Sequence, residues 1–133
     1  MQRWGLVPLR LIVGAVFLAH GLLKMFGMGF AGTANFFGAS GIPFPGLSAA
    51  VVMTLEIVGG LAIMFGFFTR WFAIPLAIDM LVAVLLIRIK GGFYAPDGAE
   101  FELTLMGACL TLALLGSGGV SVDEAIKQRM ADQ

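Results

Sequence analysis

Apolar residues run almost unbroken through four stretches of the chain, at about Leu6 to Phe26, Leu47 to Phe68, Trp71 to Ile89 and Gly98 to Leu115. Each approaches the roughly 20 helical residues that cross a hydrocarbon core, so the pattern predicts four membrane-spanning helices. Arg3 ahead of the first stretch resembles the start of a secretory leader. Arg10 interrupts that apolar run, however, and no small-residue cleavage site follows, so the segment is expected to remain as a span. Only Thr69 and Arg70 separate the second and third spans, which must therefore be antiparallel neighbours. Before the fourth, Pro96-Asp97-Gly98-Ala99-Glu100 offers Asp97 as a cap with Glu100 three residues on. Beyond Gly116-Ser117-Gly118-Gly119, Ser121 and Glu124 repeat the device for a short tail helix at about 120–130. Val122, Ile126 and Met130 share one face of that tail, which suits it to a membrane surface.

The long connection from Gly27 to Gly46 is not polar. Phe30, Phe36, Phe37, Ile42 and Phe44 alternate with glycine and with Pro43 and Pro45. Two readings stay open for it: a lid folded back over the mouth of the bundle, or a connector whose phenylalanines anchor in the interface.

Composition sharpens this picture. The chain has 133 residues, 59% hydrophobic and only 12% charged, with a mean hydropathy of +0.99. It is one domain, residues 1–133, and not a soluble enzyme. The expected fold is all-α, an integral membrane four-helix bundle in contact with the lipid bilayer. Eight Lys plus Arg balance eight Asp plus Glu, leaving no basic face for nucleic acid. The one cysteine, Cys109, can build neither an intramolecular disulfide, a CxxC pair nor a thiolate zinc cluster from this chain alone, and His20 is the sole imidazole, so no metal is expected. Arg3, Arg10, Arg70, Lys127 and Arg129 flank the spans on the side of the termini, against Lys24, Arg88 and Lys90 on the other. That excess predicts both termini in the cytoplasm of an inner (plasma) membrane.

Ionisable groups at membrane depth each ask for a partner or a function. Counting about 1.5 Å of rise per residue from the outer span ends places Lys24, Glu102, His20, Glu56 and Asp79 at roughly 3, 6, 9, 14 and 15 Å. His20 and Lys24 share a helical face with Gly21 beside them, and Glu56 precedes Gly59 and Gly60, which allow close helix approach. One reading is a polar pocket in which His20, Glu56 and Glu102 handle protons while Lys24, with Gly21 and Gly60, holds a ligand. The other is structural: Lys24 neutralises Glu102 and His20 neutralises Glu56. Asp79 either keeps its proton or joins the binding site. Arg10, toward the opposite surface, is expected to snorkel to the headgroups.

The segments "RLIVGAVFLAHGLLKMFG", "FFGASGIPFPGLSAAVVMTLEIVGGLAIMFGFFTRW", "GGFYAPDGAEFEL" and "LLGSGGVSVDEA" together resemble the DoxX family of small four-helix bacterial membrane proteins. The resemblance covers nearly the whole chain. It assigns motif positions to His20, Gly21, Lys24, Glu56, Gly59, Gly60, Arg70, Glu102, Ser121 and Asp123. Arg88 stands where many relatives carry histidine, which argues against a histidine pair or metal site, and Ser117-Gly118 replaces the usual Pro-Gly. The family takes its name from a subunit of an archaeal thiosulfate:quinone oxidoreductase. The resemblance therefore implies a quinone-linked oxidoreductase or the membrane subunit of a redox complex, with quinone as the bound group. A redox partner protein would carry the electrons, since the chain has no flavin, haem or iron-sulfur motif, and homo-oligomers are compatible with such a chain. The alternative is a non-enzymatic scaffold or small-solute permease.

Overall fold

The structure, a computed structural model, describes residues 4–88, 99–119 and 121–132. Among these every regular element is helical: α1 (Val7–Leu22), α2 (Gly29–Ala39), α3 (Pro45–Phe65), α4 (Thr69–Ala83), α5 (Glu100–Leu115) and α6 (Val122–Ala131). Wider π-helical turns extend α1 over Leu23–Met28 and α4 over Val84–Arg88. The protein is an all-α membrane protein. α1 packs along α3, α3 against α4, α4 against α5, and α5 returns to α1, which closes a four-helix bundle.

Three helical runs among the described residues are long and apolar enough to cross a membrane: Val7–Ala39, Pro45–Phe65 and Thr69–Ile87. The fourth expected span coincides with α5, which is not among those three: its 16 residues cover about 24 Å at the helical rise, short of a roughly 30 Å hydrocarbon core. Its N-cap is Ala99, with no side-chain cap. The expected cap Asp97, like Lys90, lies outside the described residues.

The Gly27 to Gly46 connection is more ordered than its glycines suggest. Gly29, at φ 75° and ψ 169°, turns the chain, and α2 then runs for 11 residues. Thr33 and Phe37, four apart, are its buried residues, and α2 packs on α3. This burial offsets the helix cost of Gly32 and Gly38. The Thr33 hydroxyl also reaches the carbonyls of Gly29 at 2.9 Å and Lys24 at 3.3 Å, tying α2 to the wide turn.

Small residues set the α1–α3 crossing. A Cβ on Gly60 would lie 2.7 Å from the Gly14 carbonyl oxygen, and one on Gly14 would lie 2.6 Å from the Gly60 oxygen, so the backbones touch where any side chain would separate them. Phe17, Ile63, Leu76, Cys109 and Leu112 fill the centre. Leu11, Ile12, Leu47, Val51, Leu61, Ile74, Ile78, Leu110 and Leu114 stay exposed, as a lipid-facing surface requires.

Arg10 does not snorkel. It is only 4% exposed, and its guanidinium donates to the carbonyls of Ile63 at 3.2 Å, Met64 at 3.3 Å and Ser117 at 2.8 Å. The last turn of α3 leaves carbonyls without helical partners, and a planar cation with several donors satisfies them better from inside the bundle than from the headgroups. The turn itself closes as a Schellman motif, with Gly66 left-handed and Phe67 N–H donating to Ala62 O at 2.7 Å. Asp123 of the tail then accepts from the amides of Phe68 (2.7 Å) and Thr69 (3.1 Å), capping α4 from a distance of 55 residues in sequence. Ser121 caps α6 as expected, accepting from Glu124 N–H at 3.0 Å.

Candidate functional site

At the end of the bundle remote from Arg10, a cavity of about 580 Å³ lies among α1, α3, α4 and α5 beneath α2 and the loop after it. His20 and Lys24 reach it from α1 and its wide turn, Glu56 from α3, Asp79 from α4 and Glu102 from α5. All five ionisable residues placed in the outer half by the depth count therefore face one space. Phe36, Phe37, Ile42, Pro43 and Phe44 cover it from the Gly27 to Gly46 segment. Pro75, inside α4, lies in its wall. A proline ring removes one helical donor, which loosens the backbone beside the cavity.

The charge pairing differs from the one expected. Lys24 Nζ donates to Glu56 Oε1 at 2.7 Å, so the partner of Lys24 is Glu56 and not Glu102. His20 does not pair with Glu56. Its Nδ1 donates to the Val16 carbonyl at 2.9 Å one turn earlier, and its ring lies against Phe101 with centroids 5.4 Å apart. The helical period explains both corrections: Lys24, one turn further out than His20, has the reach to descend along α1 toward α3, whereas the shorter imidazole is held by its own helix. Because Nδ1 carries the hydrogen for Val16, Nε2 is the acceptor in the neutral ring.

Glu56 is 2% exposed and Glu102 is 8% exposed. Asp79 lies within hydrogen-bond reach of the Glu56 carboxyl and within electrostatic reach of Lys24, and its Oδ2 is buried. The floor of the cavity thus gathers two carboxyl groups around one ammonium. Sequence reasoning treated Asp79 singly; its spacing with Glu56 across two antiparallel helices was the signal, since both were counted at nearly equal depth. Gly21 and Gly60 are not among the lining residues. They serve the α1–α3 crossing, where a Cβ on Gly21 would meet Ile57 N at 3.0 Å. Cys109 is fully buried in the core. Arg88 ends the second π-helical turn, and its side chain lies outside what is described.

The cavity walls are mostly apolar, and several of their residues also form the outer surface: Phe44 is 78% exposed, Leu47 67%, Val51 54% and Ile78 56%. The space is thus continuous with the lipid-facing side between α3 and α4. A ligand entering there would place a polar end near Lys24, Glu56 and Asp79 while its apolar part stays in lipid.

These features define a small all-α membrane protein built around a charged, lipid-open cavity. The DoxX family model matches residues 5–89, and the chain belongs to that family. It is 35% identical to "Putative oxidoreductase CatD" of Bacillus subtilis, with 90% of this chain and 84% of that protein covered. The inner membrane proteins YphA and YqjF of Escherichia coli are each 32% identical, covering 86% and 97% of this chain and 84% and 97% of their own lengths. No solved structure matches.

Proposed function

We propose that this protein is a quinone-linked membrane oxidoreductase, or the membrane subunit of a redox complex, which holds a quinone head in the outer cavity. The observation that carries the reading is the buried cluster of Asp79, Glu56 and Lys24, two carboxyls within hydrogen-bond reach of each other beside one ammonium, at the base of a cavity with apolar walls open to lipid. A lipid-borne ring with two carbonyls suits that distribution of polar and apolar surface. The name of the Bacillus subtilis relative supports the redox part of the reading.

A bound quinone would supply the two-electron chemistry, with the electrons delivered by a redox partner protein. Lys24 donates to a carbonyl oxygen while it remains close to Glu56. Glu56 and Asp79, two carboxyls around one cation, hold and return protons most easily when one proton is shared between them, because a surplus charge is costly at this depth. His20 Nε2 offers a second proton position nearer the mouth. The Phe36, Phe37 and Phe44 cover keeps water from the head. The cavity faces the outer side in the same reading, with both termini in the cytoplasm as the Lys and Arg distribution favours.

Titration of the purified protein with a soluble quinone analogue is the test. Saturable binding that a His20→Ala/Lys24→Ala variant loses is expected. Equal binding by the wild type and that variant leaves the charged residues as bundle glue, and the protein as a scaffold or permease.

A further inference from the structure

A second cleft, of about 480 Å³, lies at the opposite end of the bundle, where the start of α4, the loop after α5 and the first turns of α6 meet. We infer that it binds the phosphodiester of a membrane phospholipid, through Arg70 and Lys127, with the lipid's apolar part resting on Trp71 and Leu115.

The charges that line this cleft differ in how far they are already engaged. Asp123 and Glu124 line the cleft together with Arg70 and Lys127, and buried Arg10 lies within electrostatic reach of Asp123. Arg70 and Lys127 match Asp123 and Glu124 one for one in the lining, while Arg10 is spent on the carbonyls of Ile63, Met64 and Ser117. The carboxylates are also occupied. Both oxygens of Asp123 accept backbone amides of the α3–α4 turn, and Glu124 Oε1 accepts from Gln128 at 3.5 Å. Arg70 and Lys127 are not. Arg70 spends one donor on the Leu114 carbonyl at 3.4 Å, leaving four of its five N–H groups. Lys127 has no hydrogen bond or ion pair with any described residue.

The surroundings suit a lipid better than a free ion. Trp71 is 70% exposed and Leu115 62% exposed in the same cleft. An indole beside cations at a helix end is the arrangement that sits at headgroup level. Val122, Ile126 and Met130 are exposed on α6, so the tail can lie along the same surface with its apolar face toward the acyl chains. This site is independent of the outer cavity and of any quinone.

The experiment uses the full-length protein in detergent with Trp4→Phe, which leaves Trp71 as the sole indole of the two in the chain. Short-chain phosphatidylglycerol should shift Trp71 emission saturably. Lys127→Glu, at an exposed residue without bonds to break, should weaken that binding about tenfold or more, and Arg70→Gln by a similar factor. Three results overturn the proposal: unchanged affinity in both variants, an equal response to a short-chain diacylglycerol without phosphate, or saturation of the signal by inorganic phosphate alone, which would make the ligand a free anion.

Discussion

Glu56 is the residue whose surroundings matter most. An almost fully buried carboxylate with its ammonium 2.7 Å away is stable as a pair and unstable as a remnant. Lys24→Met is therefore expected to destabilise the protein by about 3 kcal/mol, and adding Glu56→Gln should restore a large part of that loss. Thermal unfolding of the two single variants and the double variant measures this coupling; strict additivity would mean the pair does not form. The His20→Ala and Glu56→Gln effects should instead add to within about 0.5 kcal/mol, since His20 bonds its own helix at Val16. The depth count from sequence found all five ionisable residues of the cavity, because hydropathy and helical rise are local properties. It paired them wrongly, because pairing depends on side-chain reach across α1 and α3, which neither property encodes.

At the scale of the helices, neighbouring glycines of α3 have different tasks. A Cβ added to Gly60 would meet backbone, 2.7 Å from Gly14 O and 2.8 Å from Leu18 N, whereas one added to Gly59 would meet the flexible end of Leu76 at 3.1 Å. Gly60→Ala should therefore force α1 and α3 apart and destabilise the bundle by about 2 kcal/mol or more, while Gly59→Ala should change its unfolding temperature little. The "GG" was readable as a close-approach signal, but which of its members touched the partner was not, since that depends on the rotation of α3. The tail carries a comparable lesson. Ser121 and Glu124 were visible as a local cap, yet the role of Asp123 depends on a contact 55 residues away in sequence. Asp123→Ala should remove the cap of α4 at a cost of about 1 kcal/mol and loosen α6, read as faster cleavage of the tail in limited proteolysis. Phe68, held at φ 47° where a bulky side chain is strained, makes this cap more consequential than an ordinary one.

The whole molecule has two chemically distinct ends, and their separation sets its orientation. One end carries the cavity with His20, Lys24, Glu56, Asp79 and Glu102 under the phenylalanines of the α2 segment. The other carries Arg10, Arg70 and Lys127 together with the tail. If the second end is cytoplasmic, as the cation distribution favours, Gly38 near the end of α2 must face outward. Gly38 is exposed, and a side chain there would meet only Pro45 at 3.6 Å, so Gly38→Cys should fold normally. The native Cys109 is fully buried and will not compete for a probe. A membrane-impermeant maleimide should therefore label Gly38→Cys on intact cells, while Lys127→Cys on exposed α6 should react only after the membrane is opened. Labelling of Lys127→Cys alone on intact cells would invert the molecule. It would move the cavity with His20, Lys24, Glu56 and Asp79 to the cytoplasmic face.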